Sequence, residues 1–262
     1  MLAGSMVRGI TGLLVAALAF VVMPIALMAQ TPAQPNAPPQ TGLVIVLDPA
    51  HGGTDTGARG QGMTVEKDIV LEFARTVRAE LERQGFHVVM TRNDDSDPTY
   101  DDRATIANTH RDAIFITFHI SSTGTLGAAR AYYYQFPNPM PPPTPPADTS
   151  SATDKPAPAP SAPQSTSLIA WEEAQRSFEG ASHHFADILQ GELSQRLPGS
   201  PATPAAAAVR GLRSVAAPAV AVEVSSVAIS DSSQLTAFAA PLATSIVRSI
   251  VGVRPMGSGG PN

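Results

Sequence analysis

Four side chains stand where chemistry can gather: His51, Glu66, His119 and Glu223. His51 follows the apolar run "VIVLDPA", and Glu66 opens a helical pattern after a glycine-rich loop. His119 ends the run "AIFITFH", and Glu223 lies near the end of "PAVAVEV". Two neutral imidazoles and one carboxylate are the ligand set of many catalytic zinc sites, with a fourth position kept for water. A second carboxylate that does not bind the metal can take that water's proton and pass it to a leaving nitrogen. Glu223 is the strongest anomaly, because an acid inside "AVAVEV" is costly without a partner. The plainer alternative is that it pairs with an arginine such as Arg213. Asp48 and Asp55 are candidates for orienting ligands or fixing the loop.

The loop "HGGTDTGARGQG" invites a phosphate-binding reading, since glycine loops after strands often cradle phosphates on backbone N–H groups. Gly57, Gly60 and Gly62 space as G-x-x-G-x-G, the reverse of the dinucleotide pattern, and no Gly-Lys-Ser/Thr follows. A sharp turn around a metal, with room for a bulky substrate, explains the glycines better. The remaining histidines have duller readings. His87 alternates with apolar residues in an edge-like strand, His110 caps a helix end, and His183 and His184 are adjacent on a helix and face solvent.

The elements that must bring these residues together alternate. Leu43 to Leu47 reads as a buried strand. The pattern from 65 to 84 predicts a helix burying Val70, Ala74, Val77 and Leu81, with Gly85 as its stop. Strands are expected at 86–91, 113–119, 129–136 and 217–224. Helices are expected at 101–110 with Ile106 on the apolar side, at 168–197 ending at Pro198-Gly199, and at 234–251. The alternation predicts a single α/β domain with a mixed, mostly parallel sheet of about six strands flanked by helices. In such a sheet ligands collect at the carboxyl ends of the strands, where the four residues lie.

The extremities differ in composition. The run Ile10–Met28 after Arg8 has the form of an export signal and is nearly long enough to span a bilayer, so residues 1–29 are either a cleaved signal peptide or a retained membrane anchor. Residues 30–42 read as a proline-rich linker. Residues 137–167 hold eleven prolines and only three charges, a composition that cannot bury a core, and read as a disordered insertion in one domain spanning 43–252. Residues 253–262 read as a flexible tail. A formal net charge of −5 leaves no basic footprint for nucleic acid. The absence of cysteine excludes disulfides, thiol catalysis and a lipoprotein anchor.

Taken in order, "IVLDPAHGGTDTGARG", "EKD" at 66–68, "GFHVVMTRNDD" at 85–95, "DRATIAN" at 102–108, "IFITFH" at 114–119, and then "RGL" and "PAVAVEV" resemble the zinc-dependent N-acetylmuramoyl-L-alanine amidases, the amidase_3 family of cell-wall hydrolases. The resemblance implies a six-stranded α/β fold, Zn2+ bound by His51, Glu66 and His119, and Glu223 as the general acid/base. It implies cleavage of the amide between the lactyl group of N-acetylmuramic acid and the first L-alanine of the stem peptide, hence peptidoglycan as partner and a periplasmic or cell-wall location. An activator protein is a further expected partner of unspecified identity. The alternatives are a catalytically weak peptidoglycan-binding or regulatory scaffold, and a zinc amidase for another amide. Three departures bear on the groove. Ala50 replaces a glycine of the family, which costs about 1 kcal/mol if the position needs positive φ. Ile120-Ser121-Ser122 stands where Ala-Asn is common, and "VSSVAIS" follows Glu223 in place of the family's Gly-Phe turn.

Overall fold

The computed structural model describes residues 42–61, 63–137, 170–226 and 233–253. Six strands form one sheet: β1 Val44–Pro49, β2 His87–Met90, β3 Ala113–Ile120, β4 Ala129–Tyr133, β5 Ala205–Ala206 and β6 Ala219–Val224. Their order is β2-β1-β3-β6-β4-β5. The first four in that order run parallel, β4 is antiparallel to β6, and β5 is parallel to β4. Among the described residues five α-helices accompany them: α1 Glu66–Arg83, α2 Tyr100–Asn108, α3 Glu179–Arg196, α4 Ser233–Thr236 and α5 Ala239–Val253.

Strand alternation divides the side chains between two cores. Ile45 and Leu47 of β1, Ile114, Ile116, Phe118 and Ile120 of β3, and Val220, Val222 and Val224 of β6 join the buried faces of α1, α3 and α5. Val44 and Val46, Ala113 and Phe115, and Ala219 and Ala221 face the other way, onto Ala104 and Ala107 of α2 and Leu212. That second core is built largely from alanine, which lets α2 lie close against the sheet. Asp48, Thr117, His119 and Glu223 continue the same alternation, so all four belong to the α2 face at the carboxyl ends of their strands.

The α1 helix forms as its periodicity predicts, with Val70, Ala74, Val77 and Leu81 buried and Gly85 at φ +84° ending it. A capping box starts α2: Thr99 accepts from the Asp102 amide, and the Asp102 carboxylate accepts from the Thr99 amide. Its buried side carries Arg103, Ala104 and Ala107, and Ile106, partly exposed, packs against the same core as expected. The pattern from 168 to 197 is not one helix among its described residues. Trp171–Phe178 is 3-10, because cross-chain bonds tie it to the 210–217 segment: the Gln175 amide donates to Arg213 O and Arg213 Nε to Glu172 O. The closing helix is likewise divided into α4 and α5, since Pro241 fits only the first turn of a helix. The stretch Ser233–Val253 is apolar enough to cross a membrane by composition, but Leu242, Ile246 and Ile250 on its buried side join the same core as α1 and α3. β5 is a two-residue edge strand within an alanine run, a residue type with little preference for strands.

The segments 1–29, 30–41, 138–167 and 254–262, covering the expected signal or anchor, linker, insertion and tail, lie outside the described residues.

Candidate metal centre

After β1 the chain must turn sharply, and the turn delivers His51. His51 itself takes the left-handed conformation, at φ +63°, followed by Gly52 at +140° and Gly53 at +50°. Ala50 is not a positive-φ position, so the alanine carries no such strain, contrary to the cost its replacement of a glycine suggested. A Cβ on Gly52 would run into the Ser96 carbonyl oxygen, so this glycine is required by close approach.

Two buried arginines hold the turn through its carbonyls. Arg103 donates to Asp48 Oδ1 at 2.6 Å, to Pro49 O at 2.9 Å and to His51 O at 2.8 Å. Arg92 donates to Pro49 O at 2.8 Å, to Ala50 O at 3.0 Å and to Lys67 O at 2.8 Å. Three consecutive carbonyls are thereby fixed by two arginines that are 3–4 % exposed. Asp48 is also the acceptor for Thr91 Oγ1 at 2.5 Å, so it anchors the turn from beneath rather than touching the imidazoles. Sequence reasoning left both arginines unused, although each stands inside a quoted motif. The available signal was Arg103 one residue before Ala104 and four before Ala107 on the buried side of a short helix.

Around this turn the donors converge. Asp55 Oδ2 lies 2.7 Å from His51 Nδ1, and Asp55 Oδ1 accepts from the Gly57 amide. That fixes the ring and leaves Nε2 aimed at Glu66 Oε1, 3.1 Å away. His119 Nδ1 approaches the same oxygen at 3.0 Å. Glu66 is buried at the N-terminus of α1, where a negative charge suits the helix dipole. Its Oε1 accepts from the Ile120 amide and its Oε2 from the Ala58 amide, both at 2.8 Å. Gly57 makes room for the cluster: a Cβ there would lie 2.5 Å from Glu66 Oε2 and 2.7 Å from His51 Cδ2.

His51, Glu66 and His119 each offer one ligand atom, all within 4.8 Å of one another, and the group can hold a metal ion. A tetrahedral ion with bonds of about 2.0–2.2 Å places adjacent ligand atoms about 3.3 Å apart. The 3.0 and 3.1 Å separations from Glu66 Oε1 to the two imidazole nitrogens fit that requirement. Two nitrogens and one oxygen, one of the imidazoles backed by a carboxylate, suit a borderline cation.

Without a metal the cluster is held by protons. Burial pulls the His51 imidazole down, but the Glu66 and Asp55 carboxylates outweigh it and raise its pKa to about 9. For Glu66, burial pushes upward and the His119, His51 and Ala58 donors prevail, holding the carboxyl well below the usual range. A metal must therefore displace a proton from His51 at any pH below about 9. Apparent metal affinity is expected to fall about tenfold per unit as pH drops below that value. Calorimetric titration of metal-free protein at pH 7.5 in buffers of different ionisation enthalpy should report about one proton released per ion.

Glu223 occupies the register position beside His119 on β6, and on its other side Arg130 of β4. Tyr132 Oη donates to Glu223 Oε1 at 3.4 Å. Burial first, and then the Glu223 charge, raise the Tyr132 pKa, which keeps the phenol a donor. Glu223 is only half-buried, so the desolvation expected of an acid inside "AVAVEV" is largely relieved by its place at the strand end. Arg213 is not its partner; that guanidinium binds the Glu172 carbonyl. Among the other histidines, His87 and His110 meet edge to face at 6.4 Å, and His183 stacks on Tyr133 at 4.2 Å, both away from the cluster.

A cavity of about 280 Å³ opens beside His51 and His119, its lining including Asp55, Pro98, Tyr100 and Gly211. Thr117 lines it, and its buried Oγ1 has no hydrogen-bond partner among the described residues.

A mixed α/β sheet whose parallel strands deliver two histidines, with a buried helix-terminal glutamate between them, defines an α/β protein with a three-donor group able to hold a metal ion. More particularly, the chain belongs to the N-acetylmuramoyl-L-alanine amidase family, Amidase_3, whose model matches residues 45–251. It is 38% identical over 95 residues to N-acetylmuramoyl-L-alanine amidase AmiA of Escherichia coli, a match covering 36% of this chain and 33% of AmiA. The matches span about a fifth to a half of the curated relatives' length. Among solved structures, the amidase Ami1 of Mycobacterium smegmatis superposes with a TM-score of 0.56 over 81% of this chain and 96% of Ami1, at 20% identity. The CwlD amidase of Clostridioides difficile, solved in complex with the GerS lipoprotein, gives 0.55 over 80% and 97%, at 19% identity. These likenesses establish the shared fold.

Proposed function

We propose that this protein is an exported zinc amidase that hydrolyses the bond between the lactyl carbonyl of N-acetylmuramic acid and the first L-alanine of the peptidoglycan stem peptide. The observation that carries the proposal is the placement of Glu223 in register beside His119, one strand away from a three-donor cluster. His51, Glu66 and His119 would hold the zinc. When bound there, zinc acidifies a water and polarises the scissile carbonyl.

The chain's own residues supply the rest. Asp55 keeps His51 in the orientation that presents Nε2, and the Ile120 and Ala58 amides keep Glu66 from rotating. Tyr132 Oη holds the Glu223 carboxylate. Glu223 accepts the proton of the attacking water and returns it to the departing alanine nitrogen, which leaves as an amine. In this reading residues 1–29 direct export as signal or anchor, residues 30–42 are a linker, the catalytic domain spans 43–252 with a proline-rich insertion at 137–167, and residues 253–262 form a tail. An activating partner protein is part of the same proposal.

Digesting purified peptidoglycan and sequencing the products by mass spectrometry tests the bond assignment. Released peptides should begin with a free L-alanine amine, and the glycan should keep intact lactyl carboxylates. Peptides cut elsewhere in the stem, or glycan cleavage, would refute it.

A further inference from the structure

The cavity at the metal centre does not end at Tyr100. Tyr100 and Thr99 also line a second cavity of about 400 Å³, whose other walls are Asp101, Trp171, Glu172, Arg210, Arg213 and Ser214. The short 3-10 turn Arg210–Leu212 straddles the ridge between the two: Gly211 lines the first cavity and Arg210 the second. A Cβ on Gly211 would touch the Tyr100 ring at 3.5 Å, so the ridge is low because this residue has no side chain.

The second cavity is equipped for a ligand. Tyr100 and Trp171 are 48% and 42% exposed, two of the few large hydrophobic side chains left in solvent. The Trp171 indole is pinned by donation to Asp101 Oδ1 at 3.1 Å, and the Arg210 guanidinium sits 5.1 Å above the Tyr100 ring. Arg213 spends only its Nε, on the Glu172 carbonyl. Among the described residues no carboxylate lies within 4.0 Å of either guanidinium. Planar guanidinium forks of this kind bind carboxylates in two-pronged fashion. Glu172 adds an acid to the same wall. A lining of both signs with aromatic surfaces matches a charged peptide better than a neutral sugar.

We infer that this second cavity is a subsite for an acidic peptide on the amine side of the scissile bond, with Arg210 and Arg213 receiving its carboxylate and Trp171 covering its backbone. The inference rests on the amidase reading for its choice of a peptide beginning with L-alanine.

Trp171 is the chain's single tryptophan, so its fluorescence reports on this cavity without any turnover. L-Alanyl-D-glutamic acid, titrated into the zinc-loaded full chain, should change Trp171 emission saturably. Its diamide should bind at least tenfold more weakly, as should the diacid to an Arg210→Gln/Arg213→Gln variant whose thermal unfolding matches the parent. A disaccharide of N-acetylglucosamine should leave the emission unchanged. Equal binding of diacid and diamide, unaltered binding by the double variant, or a response to the disaccharide would overturn the subsite. Binding of the diacid with peptidoglycan cut at a bond other than the lactyl–alanine amide would sink the amidase reading and leave the subsite standing. Hydrolysis with no response to the diacid would do the reverse.

Discussion

Replacing Arg103 with methionine is expected to destabilise the protein by about 3–5 kcal/mol, the range for removing one partner of a buried ion pair. Methionine keeps much of the arginine's apolar stem but none of its donors. Asp48, with a side chain 4% exposed, would then keep a buried charge satisfied by Thr91 alone. Pro98 O and His51 O would lose the bonds that Arg103 gives them, while Pro49 O would retain Arg92. Because His51 sits in a left-handed conformation that this guanidinium helps to hold, zinc affinity should fall together with stability. The denaturant midpoint should move with little change in slope. Adding Asp48→Asn to Arg103→Met removes the stranded charge and should recover part of the loss. A midpoint shift below about 1 kcal/mol in the single variant would mean that Arg92 alone holds the turn.

How far the sequence discloses this site differs from residue to residue. The α1 helix is legible because its apolar residues fall on one face and a glycine closes it. The strands at 44, 113 and 219 are legible as β-branched or apolar runs, and the strand-end positions of His51, His119 and Glu223 follow from them. What the runs cannot give is order within the sheet. His119 and Glu223 become neighbours only because β6 inserts between β3 and β4, an outcome of packing across the whole domain. The role of Arg103 is hidden for a related reason: arginine is seldom buried, and only the tertiary structure supplies the carboxylate and carbonyls that allow it. The break at Phe178 is also tertiary, since the bonds that hold the 3-10 segment come from residues about forty positions away. The break before α5 was legible locally, in Pro241. At Ala50 the condition attached to its replacement of a glycine is not met: the left-handed residue is His51, one position on.

Glu223→Gln should lower turnover by about 10²–10⁴, the usual share of a general acid/base, while leaving fold and metal in place. Glutamine keeps the shape and can still accept from Tyr132, so the β4–β6 pairing is undisturbed. What it cannot do is accept a proton from water at neutral pH. A variant of a ligand, Glu66→Ala, should behave differently: it removes a donor from the cluster and should lose the metal along with activity. The pair separates proton transfer from metal binding. The measurement that tests the central claim most directly is therefore zinc per chain, with peptide release from purified peptidoglycan, in the parent, Glu223→Gln and Glu66→Ala. The account predicts about one zinc in the first two, strongly reduced zinc in the third, and rapid release by the parent alone. Full zinc in Glu66→Ala, or undiminished release by Glu223→Gln, would contradict it.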